Sequence, residues 1–299
     1  MEKQQLISII IPTYNRAHLI GATLDSIAAQ SYAGWECLVI DDGSTDDTAA
    51  VVGGYEAADA RFQYHERPVD KPKGANACRN YGLDLAHGQY VVFFDSDDLM
   101  TPNHLEVKHE AILKHECDFV ITQTRYFNND ALNRVLERQY AYESSDISLY
   151  NFVTHKTVWL TLDVCIKKNI AKTIEFNEQL QSGQEYNYFS KLLCESVNCI
   201  YLKDVLSQRR HHESSIRGGL RTDAIKTSIG FYKTYWYTFQ DLKDTAPNIV
   251  LQFLLYRCYR LSLKIPKAER PFRADLLKAM RRYMGLKGYG YGMHLQLRS

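Results

Sequence analysis

The sequence predicts an open α/β sheet, mostly parallel, with helices on both faces and a helical appendage after it. Three observations carry this. Short β-branched and aromatic runs alternate with stretches of helical period over residues 6–124. Each run stops at a polar loop rich in Asp, Asn, Ser and Gly. Beyond residue 219 the alternation gives way to three helical stretches.

In order, Leu6 to Ile11 reads as a strand, and Ala17 to Gln30 as a helix with Leu19, Ile20, Leu24 and Ile27 at helical spacing. Trp35 to Ile40 is a second strand and Asp46 to Tyr55 a second helix, with Ser44 or Thr45 as its N-cap. Arg61 to His65 makes a short third strand. The helix Gly74 to His87 is closed by Gly88 as a C′ residue. Tyr90 to Phe94 is apolar throughout, as a strand buried on both faces requires. Thr101 and Pro102 supply the N-cap and first residue of a helix over 102–115, and 118–124 is a further strand.

A chain of 299 residues, 45% hydrophobic and 24% charged, is globular, with one large domain and an appendage. Its seven cysteines are scattered without a Cys-x-x-Cys pair, so neither a disulfide framework nor a zinc site is indicated. No signal peptide is expected, because the first apolar stretch stops at Pro12, and no run approaches the ~20 apolar residues of a membrane span. A cytoplasmic location follows as the expectation. The net charge of +1 hides an asymmetry: residues 248–299 hold eleven Lys and Arg against Glu269 and Asp275, a net of +9, which leaves −8 for residues 1–247.

The loops carry the chemistry. Asp95, Asp97 and Asp98 follow the strand 90–94 directly and offer hard oxygen ligands of the kind that suit Mg²⁺ or Mn²⁺. By themselves they would serve equally as an Asp-rich turn before the next helix. The first strand ends in Pro12-Thr13-Tyr14-Asn15-Arg16 and the second in Asp41-Asp42-Gly43-Ser44-Thr45-Asp46. If the strands are parallel, all three loops converge on one edge, where open α/β sheets bind ligands. There Asp41 or Asp42 either shapes a turn or accepts from a nucleobase N–H or ribose hydroxyl. No Gly-x-Gly-x-x-Gly follows the first strand, so a dinucleotide fingerprint is absent, as is a Walker loop. The helix opening at Gly74 sets Asn76, Arg79 and Asn80 on neighbouring positions, a pattern for an anion site or for a solvated face.

In this order, Pro12-Thr13-Tyr14-Asn15-Arg16, Asp41-Asp42-Gly43-Ser44-Thr45-Asp46-Asp47-Thr48, Gly74-x-Asn76-x-x-Arg79-Asn80 and Asp95-Ser96-Asp97-Asp98 resemble the motifs of the inverting glycosyltransferase family 2. The likeness is close over residues 6–125 and looser to about 217. It implies the type A nucleotide-sugar fold, as a catalytic domain over 1–219 with a basic helical extension over 220–299. It also implies transfer of a sugar from a nucleotide sugar, with a UDP-sugar as the default, to a hydroxyl of a glycan or lipid-linked acceptor. The donor-binding positions it implies are Pro12, Thr13, Tyr14, Asn15, Asp42, Gly74, Asn76, Arg79, Asn80, Asp95 and Ser96. Mn²⁺ or Mg²⁺ would be held by Asp97, with Asp95 and Asp98 assisting.

Family members carry a Gly-Glu-Asp-type motif at the start of a helix, its last acid being the general base. Here Gly183-Gln184-Glu185 stands in that place, so the resemblance makes Glu185 the base, one carbon–carbon bond longer than the usual Asp. A first-turn acid favoured by the helix dipole is the alternative. Arg210-His211-His212-Glu213-Ser214-Ser215 fits the family's Arg-x-His-x-x-Ser, with His212 completing the metal shell or touching the diphosphate and His211 as its substitute. The aromatic residues Tyr140, Tyr142 and Trp159 either stack on sugar faces or simply pack.

The last three helical stretches are 222–241, 247–264 and 267–283. In the second, Ile249, Val250, Phe253, Leu254, Leu255, Cys258, Tyr259 and Leu261 form a stripe with Arg257, Arg260 and Lys264 between them. Such a helix lies on an anionic membrane, packs on the catalytic domain or joins a homo-oligomer, and the +9 charge favours peripheral contact with the inner face of the plasma membrane. Nucleic acid is not an expected partner, since the body is acidic and has no aromatic RNA motif. Two rival functions stand beside the transferase. A non-catalytic nucleotide-sugar-binding module has no use for Glu185 and His212, and a dehalogenase-like phosphohydrolase would need an Asp where Pro12-Thr13-Tyr14-Asn15 follows the first strand.

Overall fold

The computed structural model describes residues 5–127, 129–211 and 223–297. They form two compact units, one of residues 5–147, 157–178 and 195–211 and the other of 148–156, 179–194 and 223–297. The second unit thus takes in two segments that precede the 219/220 division read from the sequence.

The first unit is built on one sheet of eight strands: β1 (Ile7–Thr13), β2 (Trp35–Asp41), β3 (Phe62–Glu66), β4 (Tyr90–Phe93), β5 (Leu99–Met100), β6 (Phe119–Tyr126), β7 (Val164–Lys167) and β8 (Cys199–Arg209). Their order is β3-β2-β1-β4-β7-β6-β8-β5. β1 pairs in parallel with β2 and β4, β2 with β3, and β6 with β8, while β7 runs against both its neighbours and β5 against β8. The sheet is therefore mostly parallel, as the alternation of elements predicts. Every residue of β1 and β2 is buried, which is why neither run alternates polar with apolar.

Helices α1 (Ile20–Ala28), α2 (Thr48–Ala58), α3 (Ala75–Leu85) and α4 (His104–His115) connect the strands. Ile7, Ile9 and Ile11 pack in one core with Ile20, Leu24 and Ile27 of α1, Val52 of α2 and Leu105 of α4. Ile10 and Ile40 meet α3 at Gly82 instead. The period-2 geometry of a strand puts these two sets on opposite faces, so both faces carry helices.

Several boundaries differ from the sequence reading, each for a local reason. α2 starts at Thr48, because Ser44 and Thr45 do not cap it: their N–H groups donate to Asp41 Oδ1 (2.7 Å) and Asn15 Oδ1 (2.8 Å), and Asp46 takes the Thr48 N–H. α3 ends at Leu85, and Gly88 is not its left-handed cap. Gly88 is needed because a Cβ there would lie 2.7 Å from Leu6 O and Ser8 N, where the chain passes against β1. α4 starts at His104, because Leu99–Met100 is a strand and the Thr101 N–H donates to Leu206 O (2.9 Å). Strands β5 and β7, of two and four residues, are too short to carry a readable pattern, and β8 lies beyond the alternation read from the sequence.

The second unit is helical, with Leu149–Val153, Gln184–Glu195 up to residue 194, Ala224–Leu242, Asn248–Ser262 and Arg273–Leu297. Most of the apolar stripe packs inside this unit: Val250, Leu254, Leu255, Cys258 and Tyr259 are buried among the neighbouring helices, while Ile249 is exposed. The expected helix 267–283 is instead a 3₁₀ turn, Lys267–Glu269, and then Arg273–Leu297. Pro271 accounts for the gap, since it forces Arg270 into extended backbone. Gly285 (φ +54°, ψ −133°) reverses the last helix, so that a Cβ on Gly288 would lie 2.0 Å from Met280 O. No helix among the described residues is long and apolar enough to cross a membrane.

Candidate active site

The strand order places a topological switch between β1 and β4, from which the chain continues to opposite sides of the sheet. Ligands bind at such a point because the loops leaving the carboxyl ends diverge there. The Pro12–Arg16 loop leaves β1, Asp42–Asp47 leaves β2, and Asp95–Asp98 follows β4. All three loops therefore open from one edge.

The first two loops are stitched together. Asn15, at φ +50°, takes the Thr45 N–H and donates its own N–H to Ser44 Oγ (2.8 Å), while the Arg16 N–H donates to Thr48 Oγ1 (2.8 Å). Thr13 Oγ1 is buried without a protein hydrogen-bond partner. Tyr14 is 42% exposed, and the Lys73 ammonium stands 4.1 Å from its ring centroid. Asp42 is buried, and one of its oxygens, Oδ1, accepts both Arg67 Nε (2.6 Å) and the Gly74 N–H (3.1 Å). The segment leading to α3 is thereby pinned to the end of β2.

On α3, Arg79 is almost fully buried and donates Nη2 to Asp95 Oδ1 (2.8 Å), with the Phe176 ring 5.3 Å from its guanidinium. Asn76 and Asn80 bond to the chain itself. Asn76 Nδ2 donates to Asn177 O (2.8 Å); Asn80 accepts the Phe176 N–H and donates to Phe176 O and Glu178 Oε1. Being buried, both amides find partners in the chain itself and anchor residues 176–178 to α3.

The three acids after β4 differ from one another. Asp95 faces Arg79, and Asp97 has Arg16 Nε at 4.0 Å from Oδ2, their side chains being 29% and 24% exposed. Asp98 is buried, and its Oδ1 accepts the Arg210 N–H (2.8 Å). Burial, reinforced by the charges of Asp95 and Asp97, holds the Asp98 carboxyl well above the usual carboxylate range. Ser96 lies buried between the acids. Among the described residues no three His, Cys, Asp or Glu side chains form a ready metal cage. The donor types nevertheless fit a hard dication: two partly exposed carboxylates, Asp95 and Asp97, beside a third. His212 lies outside the described residues; His211 packs edge-on to Tyr126 at 6.3 Å.

In the second unit Glu185 sits half-buried in the first turn of the helix Gln184–Glu195. Gly183 precedes it at φ +72°, where a Cβ would come 2.4 Å from the Thr234 side chain, so only glycine lets this helix start where it does. Tyr140, Tyr142 and Trp159 are buried in the first unit. Tyr140 donates to Asp163 (2.6 Å) and Tyr142 to Val158 O (2.9 Å), so these rings pack and present no face to a sugar.

A family model, Glycosyl transferase family 2, matches residues 8–174, more than half of the chain and all four loop motifs. The chain belongs to glycosyltransferase family 2. The match ends before Glu185 and Arg210. Among curated members of the family, the chain is 38% identical over 127 residues to the Escherichia coli UDP-Glc:alpha-D-GlcNAc-diphosphoundecaprenol beta-1,3-glucosyltransferase WfgD, across 42% of this chain and 49% of that one. The chain thus spans about half the length of that relative. Among solved structures, Staphylococcus aureus TarS 1–349 in complex with UDP-GlcNAc superposes with a TM-score of 0.73 at 20% identity, over 97% of this chain and 88% of that one. The mannosyltransferase PcManGT from Pyrobaculum calidifontis, in complex with GDP-Man and Mn²⁺, does so with a TM-score of 0.65 at 19% identity, over 97% and 79%. At these identities the likeness establishes the type A glycosyltransferase fold.

Two residues that matter at this edge were not among those singled out from the sequence. Arg67 has no motif around it. Arg210 does, as the first residue of the Arg-x-His-x-x-Ser stretch, but attention to the histidines passed it over.

Proposed function

We propose that the protein is a metal-dependent inverting glycosyltransferase that moves a sugar from a UDP-sugar to a hydroxyl of a glycan or lipid-linked acceptor. The observation that carries this reading is the edge at the β1/β4 switch, where the unpartnered Thr13 hydroxyl, Asp42, the buried Arg79 and the partly exposed Asp95 and Asp97 open together. The UDP-GlcNAc bound by TarS and the undecaprenol-linked acceptor named for WfgD support the choice of donor and acceptor class.

In the reaction the bond from the anomeric carbon to a diphosphate oxygen breaks, its electron pair leaving with the diphosphate. Asp97, with Asp95 beside it, would hold Mn²⁺ or Mg²⁺, which when bound would act as a Lewis acid toward the growing negative charge. Arg79 and the amino end of α3 add fixed positive potential on the same side. Thr13, Tyr14 and Asn15 flank the nucleoside, and Asp42 has Oδ2 to offer a base N–H while Oδ1 holds Arg67 and Gly74. Glu185 takes the proton of the acceptor hydroxyl as its oxygen attacks the anomeric carbon, which inverts the configuration.

The same reading extends to location, at the inner face of the plasma membrane. With Val250, Leu254, Leu255, Cys258 and Tyr259 buried, the surface proposed to meet a bilayer is the reversed end of the last helix. There Leu286 (90% exposed), Tyr289 and Met293 stand at i, i+3 and i+7 near Lys278, Arg281, Arg282 and Lys287, and residues 276–299 hold no acid.

The test is release of free nucleoside diphosphate from a panel of UDP- and GDP-sugars with Mn²⁺. The expected result is metal-dependent UDP release that rises with a glycan or lipid-linked acceptor. Release of inorganic phosphate would favour the phosphohydrolase, and binding without turnover on any acceptor would favour a non-catalytic module.

A further inference from the structure

The antiparallel ladder between β5 and β8 runs through Met100↔Ser207 and Leu99↔Gln208 and then stops. Continuing the register would place Asp98 opposite Arg209 and Asp97 opposite Arg210. At that position side chains replace the missing ladder bonds. The Asp98 carboxylate, where a carbonyl would otherwise stand, accepts the Arg210 N–H (2.8 Å), and the Arg210 side chain donates Nε to Asp97 O (3.2 Å). The Arg210 guanidinium is also packed 4.8 Å from the Phe127 ring centroid. Backbone and side chain of Arg210 thus grip two successive residues of the acid loop from one point.

We propose that Asp98 is a positioning residue, not a metal ligand: with Arg210 it continues the β5–β8 ladder and so fixes the turn from which the Asp97 carboxylate projects. The proposal rests on the reading of Asp97 as the metal-holding group. Burial distinguishes the two acids: Asp98 is 2% exposed and turned inward, with Oδ1 on the Arg210 N–H, so its carboxyl is closed to a dication that must keep water and diphosphate oxygens as further ligands. Asp97 keeps its side chain partly in solvent while its main chain is held. The two neighbouring acids thereby divide the work, one facing outward and one inward.

The two roles make opposite predictions for Asp98→Asn. An amide keeps an oxygen acceptor for Arg210 but is a poor ligand for a hard dication. Two measurements on the full chain read this. First, amide hydrogen exchange of the 206–211 stretch without metal: Asp98→Ala should speed exchange at Arg210 about tenfold, the factor of one lost hydrogen bond of ordinary strength, while Asp98→Asn preserves protection. Second, Mn²⁺ titration in the presence of UDP, followed by the resonance signal of free Mn²⁺: Asp97→Asn should weaken binding at least about tenfold and Asp98→Asn less than about threefold. Arg210→Ala, which keeps the N–H and removes the guanidinium, should weaken Mn²⁺ binding by an intermediate factor. Exchange at Arg210 that ignores Asp98→Ala would overturn the proposal, as would Asp98→Asn losing Mn²⁺ as completely as Asp97→Asn. If Asp97→Asn itself leaves Mn²⁺ binding intact, the metal assignment fails while the exchange arm still decides the clamp.

Discussion

Replacing Asp42 tests whether the donor edge depends on the pin between β2 and α3. Asp42 and Arg67 keep only 10% and 13% of their side chains exposed, and Asp42 Oδ1 also receives the Gly74 N–H. Removing one partner of a buried pair costs about 3–5 kcal/mol, chiefly because the other charge is left unpaired. Arg67 retains bonds to Pro68 O and Lys71 O, which places Asp42→Ala at the lower end, about 3 kcal/mol. Asp42→Asn keeps an acceptor but loses the charge assistance, a cost of about 1.5 kcal/mol. Urea unfolding followed by far-ultraviolet circular dichroism gives the stability ranking, and calorimetric titration with UDP gives the functional one. UDP affinity should fall at least about tenfold in Asp42→Ala, or 1.4 kcal/mol. The reasoning is refuted if Asp42→Ala unfolds within about 0.5 kcal/mol of wild type, as an ordinary surface substitution would, or if it binds UDP as tightly.

Glu185→Gln should lower transfer by about a hundredfold or more while leaving UDP-sugar affinity unchanged; substantial remaining turnover would remove Glu185 from the role. Burial pushes the Asp163 carboxyl up to about 6 from 3.8, against the hydrogen bonds it accepts from Thr124 and Tyr140. The folded chain therefore binds this proton more tightly than the unfolded one, and the Asp163 contribution to stability falls as pH rises from about 4 to about 6, by up to about 3 kcal/mol. Asp163→Asn should flatten the stability profile in that window, and an unchanged slope on comparing the two unfolding series would refute the assignment. Leu286→Asp combined with Arg282→Glu should reduce sedimentation with vesicles containing anionic lipid and leave UDP binding untouched. Equal sedimentation of variant and wild type would remove the last helix from the membrane reading.

Most of the parallel half of the fold was legible because buried strands of an α/β sheet must be apolar on both faces, so Ile7–Thr13, Trp35–Asp41 and Tyr90–Phe93 stand out against polar breaks. What the sequence hid was pairing. Leu99–Met100 is two residues long and gains its strand character only from β8, far along the chain, and Val164–Lys167 likewise has only its neighbours to define it. The loop acids were equally legible as a set, because spacing places them after strands, yet their division of labour was not. Nothing in Asp95-Ser96-Asp97-Asp98 says that the last of them turns inward to Arg210, over a hundred residues away. The helical spacing of Asn76 and Asn80 was legible too, but not their partners at residues 176–178. Charge and periodicity left the 249–261 stripe open between membrane, core and partner, since a buried helix of a small helical unit and a membrane-surface helix share one pattern.

The account turns on the carboxyl edge of β1, β2 and β4 binding a nucleoside diphosphate together with a metal on Asp97. Thermal unfolding of wild type and Asp97→Asn with UDP, with and without Mn²⁺, tests it most directly. At 100 times its Kd, UDP should add about 2.7 kcal/mol to wild-type stability when Mn²⁺ is present, and the Mn²⁺-dependent part of that gain should vanish in Asp97→Asn. An equal Mn²⁺-dependent gain in the variant, or no gain in wild type from UDP or any other nucleoside diphosphate, would contradict it.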